Sequence, residues 1–239
     1  HGQRFPLVAF TSFGDYKPSM YFYAATASIA VFDLNEFSVR LPSVLAGLST
    51  VLGVGLLARE IFDTSHQKKF KRESPKNTPI FMTAFFIALF LTTISPWSIL
   101  FSRAAWESNL ATAFITYGVL FGLKSWNTTS QKKLFLFLLL SSFFFVISMY
   151  TYHSCRVIAP LLGLAIATRH LYELRKNFSS LLLAGMMSIF LLLPLLLSLR
   201  SNTVTQRFNE TSIFSEVSIV EESNLWIACL LYTSDAADE

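Results

Sequence analysis

The sequence predicts an all-α fold: a polytopic transmembrane helix bundle of about six spans, with interfacial helices on its outer face. Three observations predict it. Hydrophobic residues make up 53% of the 239 positions and charged residues only 14%, where a soluble domain carries roughly 25% charged residues. Too few polar groups remain to cover a water-exposed surface. The apolar residues come in long blocks, which points to membrane spans rather than to one large core. The charges divide between alternate connecting loops, one set basic and the other mixed in sign.

The elements follow in order. A polar segment, "RFPLVAFTSFGDYKPS", leads into Met20–Phe32, which is too short to span and rich in Tyr and Phe. It reads as a helix lying in the interface, where aromatic rings are well accommodated. Six blocks then read as spans: Leu41–Ala58, Ile80–Ile94, Leu110–Leu123, Leu134–Tyr150, Val157–Thr168 and Phe178–Leu199. A perpendicular span needs about 20 residues, so the shorter blocks must borrow polar or aromatic neighbours at their ends. Val157–Thr168 carries Pro160 in its first turn and is the weakest span, half-buried or bent. The chain thus divides into an outer-face loop and interfacial helix (1–40), a six-span region (41–199), and an outer loop with a tail that reads as non-native (200–239). Both ends read as cut: His1 begins inside polar loop sequence, and "YTSDAADE" turns abruptly small and acidic. Cys155 and Cys229 lie far apart without metal-type spacing and read as two apolar thiols, a disulfide remaining open.

Three loops are basic: "REIFDTSHQKKFKRESPK", "KSWNTTSQKK" and "RHLYELRK" hold most of the chain's 19 basic residues. They alternate with the spans as cytoplasmic loops do under the positive-inside rule. The opposite side receives Asp15, Lys17, Glu36, Arg40, Arg103, Glu107, His153 and Arg156, each set against apolar sequence. Charges near hydrocarbon are costly and are paired or functional. A site on that outer face is the expectation.

Each candidate has a functional and a bland reading. In "GDYKP", Lys17 precedes Pro18 and is held extended. Its ammonium could hold a phosphate as a compact point charge, and Asp15 could pair with it, bind a divalent cation or orient a sugar hydroxyl. The bland reading is a snorkelling Lys beside a turn Asp. In "NEFSVRLPS", Glu36 and Arg40 are spaced for an ion pair on one helix face, with Arg40 placed to reach lipid phosphate. In "SPWSILFSRAAWESN", Arg103 and Glu107 show the same spacing, on a short interfacial helix with Trp97 and Trp106 as interfacial rings. They form a self-satisfied pair or the wall of an outer cavity. In "YTYHSCR", His153 and Arg156 are three apart, so on a helix they would face the same way and suit an anion or a metal beside a phosphate clamp. The bland alternative is a hydrogen-bonded interfacial His. A Gly-rich nucleotide loop, Cys/His zinc spacing and a serine-nucleophile elbow are absent from the sequence. The basic loops serve as orientation signals, and no nucleic acid is expected as a partner.

Taken together, "SFGDYKPSMYFY", "NEFSVRLPSVLAGLSTVLGVGLLAREIF", "SPWSILFSRAAWESNLA" and "YTYHSCRVIAPLL" resemble the bacterial GT-C membrane glycosyltransferases. The nearest likeness is to the dolichyl-phosphate-mannose protein mannosyltransferase-like proteins, which include the aminoarabinose lipid A transferases. The likeness runs from about Phe5 to Leu162. One departure is Ser19, where the family usually has a second Pro. The resemblance implies an integral inner- or plasma-membrane enzyme. Such an enzyme takes a sugar from a polyprenyl-phosphate donor lipid and passes it to a lipid, protein or glycan acceptor on the outer face. It assigns Lys17 to the carrier phosphate with Asp15 near it, and brings His153 and Arg156 to the same phosphate. It puts the family's principal catalytic acid in the loop upstream of His1, and implies a divalent metal in some relatives without placing its ligands. The competing readings are a transporter or flippase for lipid-linked or anionic solutes, for which mid-membrane charges and paired halves are missing, and a membrane subunit without activity of its own.

Overall fold

In a computed structural model, the chain is helical over most of its length, and the structure describes residues 8–12, 15–69, 80–128, 130–171 and 174–198. An antiparallel hairpin, not anticipated from the sequence, comes first: β1 (Ala9–Ser12) pairs with β2 (Asp15–Pro18), placing Lys17 opposite Phe10 and Asp15 opposite Ser12. Pro18 fits at the end of a two-stranded ribbon, where no further ladder bond is required of it. The helices are α1 (Met20–Phe32), α2 (Glu36–Lys69), α3 (Ile80–Ile94), α4 (Pro96–Arg103), α5 (Glu107–Trp126), α6 (Gln131–Thr151), α7 (Cys155–Leu171) and α8 (Leu174–Ser198).

The six apolar blocks each fall on one helix, α2, α3, α5, α6, α7 and α8, apart from Leu199, which lies outside the described residues. Their reach is unequal. By length and composition, three are long and apolar enough to cross a bilayer: α2 over Glu36–Asp63, α6, and α8 over Ser179–Leu197. The pair α3 and α4, bent by 58° at Ser95, makes a fourth if it counts as one span. The expected six spans are therefore six helices of which three or four meet that test. α7 is short, with an apolar stretch of Cys155–Thr168. α5 has 20 residues but carries Asn109, Thr112, Thr116 and Ser125, which lower its hydropathy. The first basic loop is in part helix, since α2 continues to Lys69. Segment 200–239 lies outside the described residues.

The core forms around α5, which packs against α2 on one side and α6 on the other. In a bilayer, water-driven burial does not separate apolar helices from apolar lipid, so close packing of small residues decides which faces meet. Gly118 and Gly122 do this here. A Cβ on Gly118 would lie 2.8 Å from the Phe145 ring, and one on Gly122 would collide with Ile166 of α7. Ser141 Oγ donates to the Gly118 carbonyl at 2.7 Å across the same seam. Phe121 and Phe144 stack with centroids 5.7 Å apart. A second cluster joins Phe145 and Met149 of α6, Ala159 and Ile166 of α7 and Leu195 of α8, with Val8 at the start of the hairpin packed against it.

The corner between α1 and α2 has a specific device. Asp33 has φ 60 and ψ 174, a conformation nearly confined to Gly that costs on the order of 1–3 kcal/mol elsewhere. Its carbonyl accepts from Ser38 Oγ at 2.6 Å. The Ser38 N–H donates to Asn35 Oδ1 at 2.8 Å, and the Asn35 N–H donates back to Ser38 Oγ at 3.2 Å. This is a reciprocal cap on the first turn of α2.

Candidate functional site

The candidate groups gather at one end of the bundle, where the first turns of α2, α5 and α7 meet the last turns of α4 and α6. Hydrogen bonds fix the alignment. Asn109, in the first turns of α5, reaches Ser43 of α2 at this end. Asn127 Nδ2, just past α5, donates to Glu60 Oε1 of α2 at the other end, at 2.7 Å.

Lys17 lies in the extended strand β2, as Pro18 after it requires, with a half-buried side chain. Asp15 is in the same strand rather than in a turn. The hairpin and α1 carry this segment across the bundle end. Val8 packs with the α6–α7–α8 cluster, and Tyr21 Oη donates to the Val39 carbonyl of α2 at 3.0 Å. Burial, offset by the Ser43 backbone and reinforced by the nearby Glu107 carboxylate, pushes the Tyr21 phenol from 10.0 up to about 12. Tyr21 therefore stays a neutral donor to Val39.

Glu36 and Arg40 form the expected pair, with Arg40 Nη2 and Glu36 Oε2 3.5 Å apart. Both side chains are largely exposed, so the pair contributes little stability. Arg103 and Glu107 do not share a helix as their spacing suggests. α4 ends at Arg103, the backbone runs extended at Ala104 and Trp106, and α5 begins at Glu107. The Phe101 and Trp106 rings, 4.9 Å apart, pack the turn against α4. Arg103 is exposed and Glu107 half-buried.

His153 and Arg156 are likewise not on one helix. α6 ends at Thr151, His153 and Ser154 form a turn, and α7 starts at Cys155. The turn still holds them together, since the Arg156 N–H donates to the His153 carbonyl at 3.0 Å. Tyr150, one turn back, lies within electrostatic range of Arg156 and donates its hydroxyl to the Leu191 carbonyl of α8 at 2.7 Å. Cys155 is a buried thiol, as its apolar setting suggested, and Cys229 lies outside the described residues.

Beside this end runs an open apolar groove of about 660 Å³, within the roughly 300–1,000 Å³ range of small-ligand pockets. Ala24 and Ser28 of α1, Pro42 and Ala46 of α2, Tyr117 of α5 and Phe144 of α6 are among its walls. Among the described residues, no group of three or more His, Cys, Asp or Glu could hold a metal ion. The described residues therefore offer no ligand set for the divalent metal that the resemblance implies for some relatives.

Sequence reasoning missed Tyr21, Ser43 and Asn109. A polar residue at the edge of an apolar block looks like an ordinary span boundary. The usable signal was Asn109, an amide placed directly before "LATAFITYGVLFG".

Compared with protein-family models, residues 16–172 match Dolichyl-phosphate-mannose-protein mannosyltransferase. No curated protein and no solved structure matches the chain.

Proposed function

Because the chain belongs to the dolichyl-phosphate-mannose-protein mannosyltransferase family, a membrane glycosyltransferase family of the GT-C type, we propose that it serves sugar transfer from a polyprenyl-phosphate carrier on the outer face of the membrane. The acceptor is a hydroxyl-bearing lipid, protein or glycan. The observation that supports this reading is that Glu107, His153 and Arg156 lie at helix ends on one side of an apolar bundle, with Lys17 just before α1, beside an apolar groove. The groove suits the prenyl tail, and the charged end suits the phosphate to which that tail is attached.

In the transfer, the acceptor hydroxyl forms a bond to the anomeric carbon as the bond from that carbon to the carrier phosphate breaks. The phosphate leaves with the bonding pair and gains negative charge. Cations fixed beside it stabilise that charge more in the transition state than in the ground state. Lys17, with Arg156 and His153, takes this role. The acceptor's proton passes to a carboxylate acting as general base; Asp15 is the nearest carboxylate in sequence to Lys17. Glu36, Arg40 and Arg103 border the same end and contact lipid head groups.

The test is Lys17→Ala in the full-length protein reconstituted with a polyprenyl-phosphate sugar. Transfer falls by about 100-fold or more, the loss seen when a charge-stabilising group is removed, while membrane insertion is unchanged. Normal turnover would remove Lys17 from the phosphate site. Orientation is read separately: with Cys155→Ser and Cys229→Ser in place, a Ser130→Cys variant reacts with a membrane-impermeant maleimide only from the cytoplasmic side, and reaction from outside would reverse the bundle.

A further inference from the structure

At the end of the bundle where the candidate groups gather, one buried side chain ties three helices together. Ser43 of α2 is fully buried, and its Oγ donates to the Phe101 carbonyl in the last turn of α4 at 2.8 Å. Asn109 of α5 is also buried, and its Nδ2 donates to the Ser43 carbonyl at 2.7 Å and to Ser43 Oγ at 3.1 Å. Ser43 therefore receives α5 and holds α4 through one hydroxyl and one carbonyl. The approach is close: one turn along α2, a Cβ on Gly47 would collide with the Ser102 side chain of α4 and lie 3.5 Å from Asn109 Nδ2. Side-chain hydrogen bonds between helices do in lipid what close packing alone does not: they fix register.

The position of this knot gives it a consequence beyond packing. Phe101 is two residues before Arg103, and Asn109 is two residues after Glu107. The extended turn between them carries both candidate charges, and Ser43 holds both of its ends. Glu107 in turn lies within electrostatic range of Tyr21, four residues after Lys17.

We propose that Ser43, acting through Asn109 and the Phe101 carbonyl, is a positioning residue that sets where Arg103 and Glu107 stand relative to the rest of the charged end. This rests on the glycosyltransferase reading only for its effect on turnover. The geometric part stands by itself: α4 and α5 are held at one distance from α2, and loss of the Ser43 hydroxyl lets α4 move.

Two measurements on the full-length protein in proteoliposomes test it. Nitroxide labels on Leu48→Cys and Ile99→Cys, both exposed positions on α2 and α4, are introduced after Cys155→Ser and Cys229→Ser. They report the α2–α4 distance. The parent labels give one narrow distribution, Ser43→Ala and Asn109→Leu broaden or shift it, and Ser43→Thr, which keeps a hydroxyl, restores it. In sugar transfer, Ser43→Ala lowers kcat by roughly tenfold to a hundredfold, the cost of small misplacement, with the KM for the donor within about twofold, and Ser43→Thr recovers most of the loss. An unchanged distance distribution in both Ser43→Ala and Asn109→Leu overturns the clamp. A broadened distribution with kcat unaltered overturns the link to Arg103 and Glu107. A parent protein without transfer activity counts against the glycosyltransferase reading, and the distances still decide the clamp.

Discussion

α5 and α8 are both apolar helices of the bundle, yet they are used in opposite ways. α5 buries Ala111, Ala113, Gly118, Leu120, Gly122 and Ser125 between α2, α6 and α7. In α8, only 11% of the span Ser179–Leu197 is buried, and Phe190 is 73% exposed. The more hydrophobic helix is the more exposed one. This is the reverse of a soluble core, and it follows from the solvent. Lipid tails are as apolar as Leu, so bulk hydrophobicity does not pull a helix inward, whereas small and polar residues that pack or hydrogen-bond do.

The contrast can be broken by experiment, beginning with the largest effect. Gly122→Leu places a side chain where Ile166 already stands. Overpacking of this kind costs about 1–3 kcal/mol, visible as a lower thermal midpoint in detergent and as loss of the monodisperse form. An unchanged midpoint would mean that α5 is not packed as described. Ser141→Ala removes the hydroxyl bonded to the Gly118 carbonyl. A loss of about 0.6 kcal/mol is expected, the average for interhelical hydrogen bonds in membranes, and a zero effect would assign the seam to packing alone.

Tyr21 tests whether the packed half extends to α1. Its folded-state pKa, raised to about 12 from 10.0, means that the unfolded chain loses this proton first. The contribution is fully present below pH 10 and falls as pH rises toward 12. The thermal midpoint of the parent protein should therefore drop more between those values than that of Tyr21→Phe; parallel curves would show that Tyr21 is exposed. The smallest effect belongs to α8: Phe190→Leu should stay within about 0.5 kcal/mol, as exposed substitutions do, and a larger loss would reveal a packed partner on that face.

The sequence made the helices legible and left their breaks partly obscure. Met20–Phe32 and Ile80–Ile94 coincide with α1 and α3 as read from apolar run length. The break after Arg103 escaped notice because Arg103 and Glu107 have the spacing of a helical ion pair, and Trp106 at the start of α5 makes no side-chain cap bond. At His153 the break itself was legible between Leu134–Tyr150 and Val157–Thr168; what misled was the helical spacing of His153 and Arg156, because the run "YTYHSC" contains no Gly or Pro to show that the turn separates them. The hairpin was hidden by its length of four residues per strand. Within the site, the Glu36–Arg40 pair was readable because i,i+4 geometry is local. The Ser43–Asn109 contact joins residues 66 positions apart, a distance at which spacing carries no information. "NEFSVRLPS", one of the stretches that carry the family resemblance, is partly explained by folding needs: Asn35 and Ser38 cap α2 and hold the Asp33 corner.

The parallel setting of α2, α5 and α7 has an electrostatic consequence. Each helix carries the equivalent of about half a positive charge at its N-terminus, and these three point theirs to the same end. In α2 and α5 that charge is met at once by an acid, Glu36 and Glu107. The first turn of α7 contains no acid and instead adds Arg156. The macrodipoles therefore do not act equally. At α5 the charge is offset at source, at α2 Glu36 is shared with Arg40, and at α7 the dipole and a guanidinium add to one another.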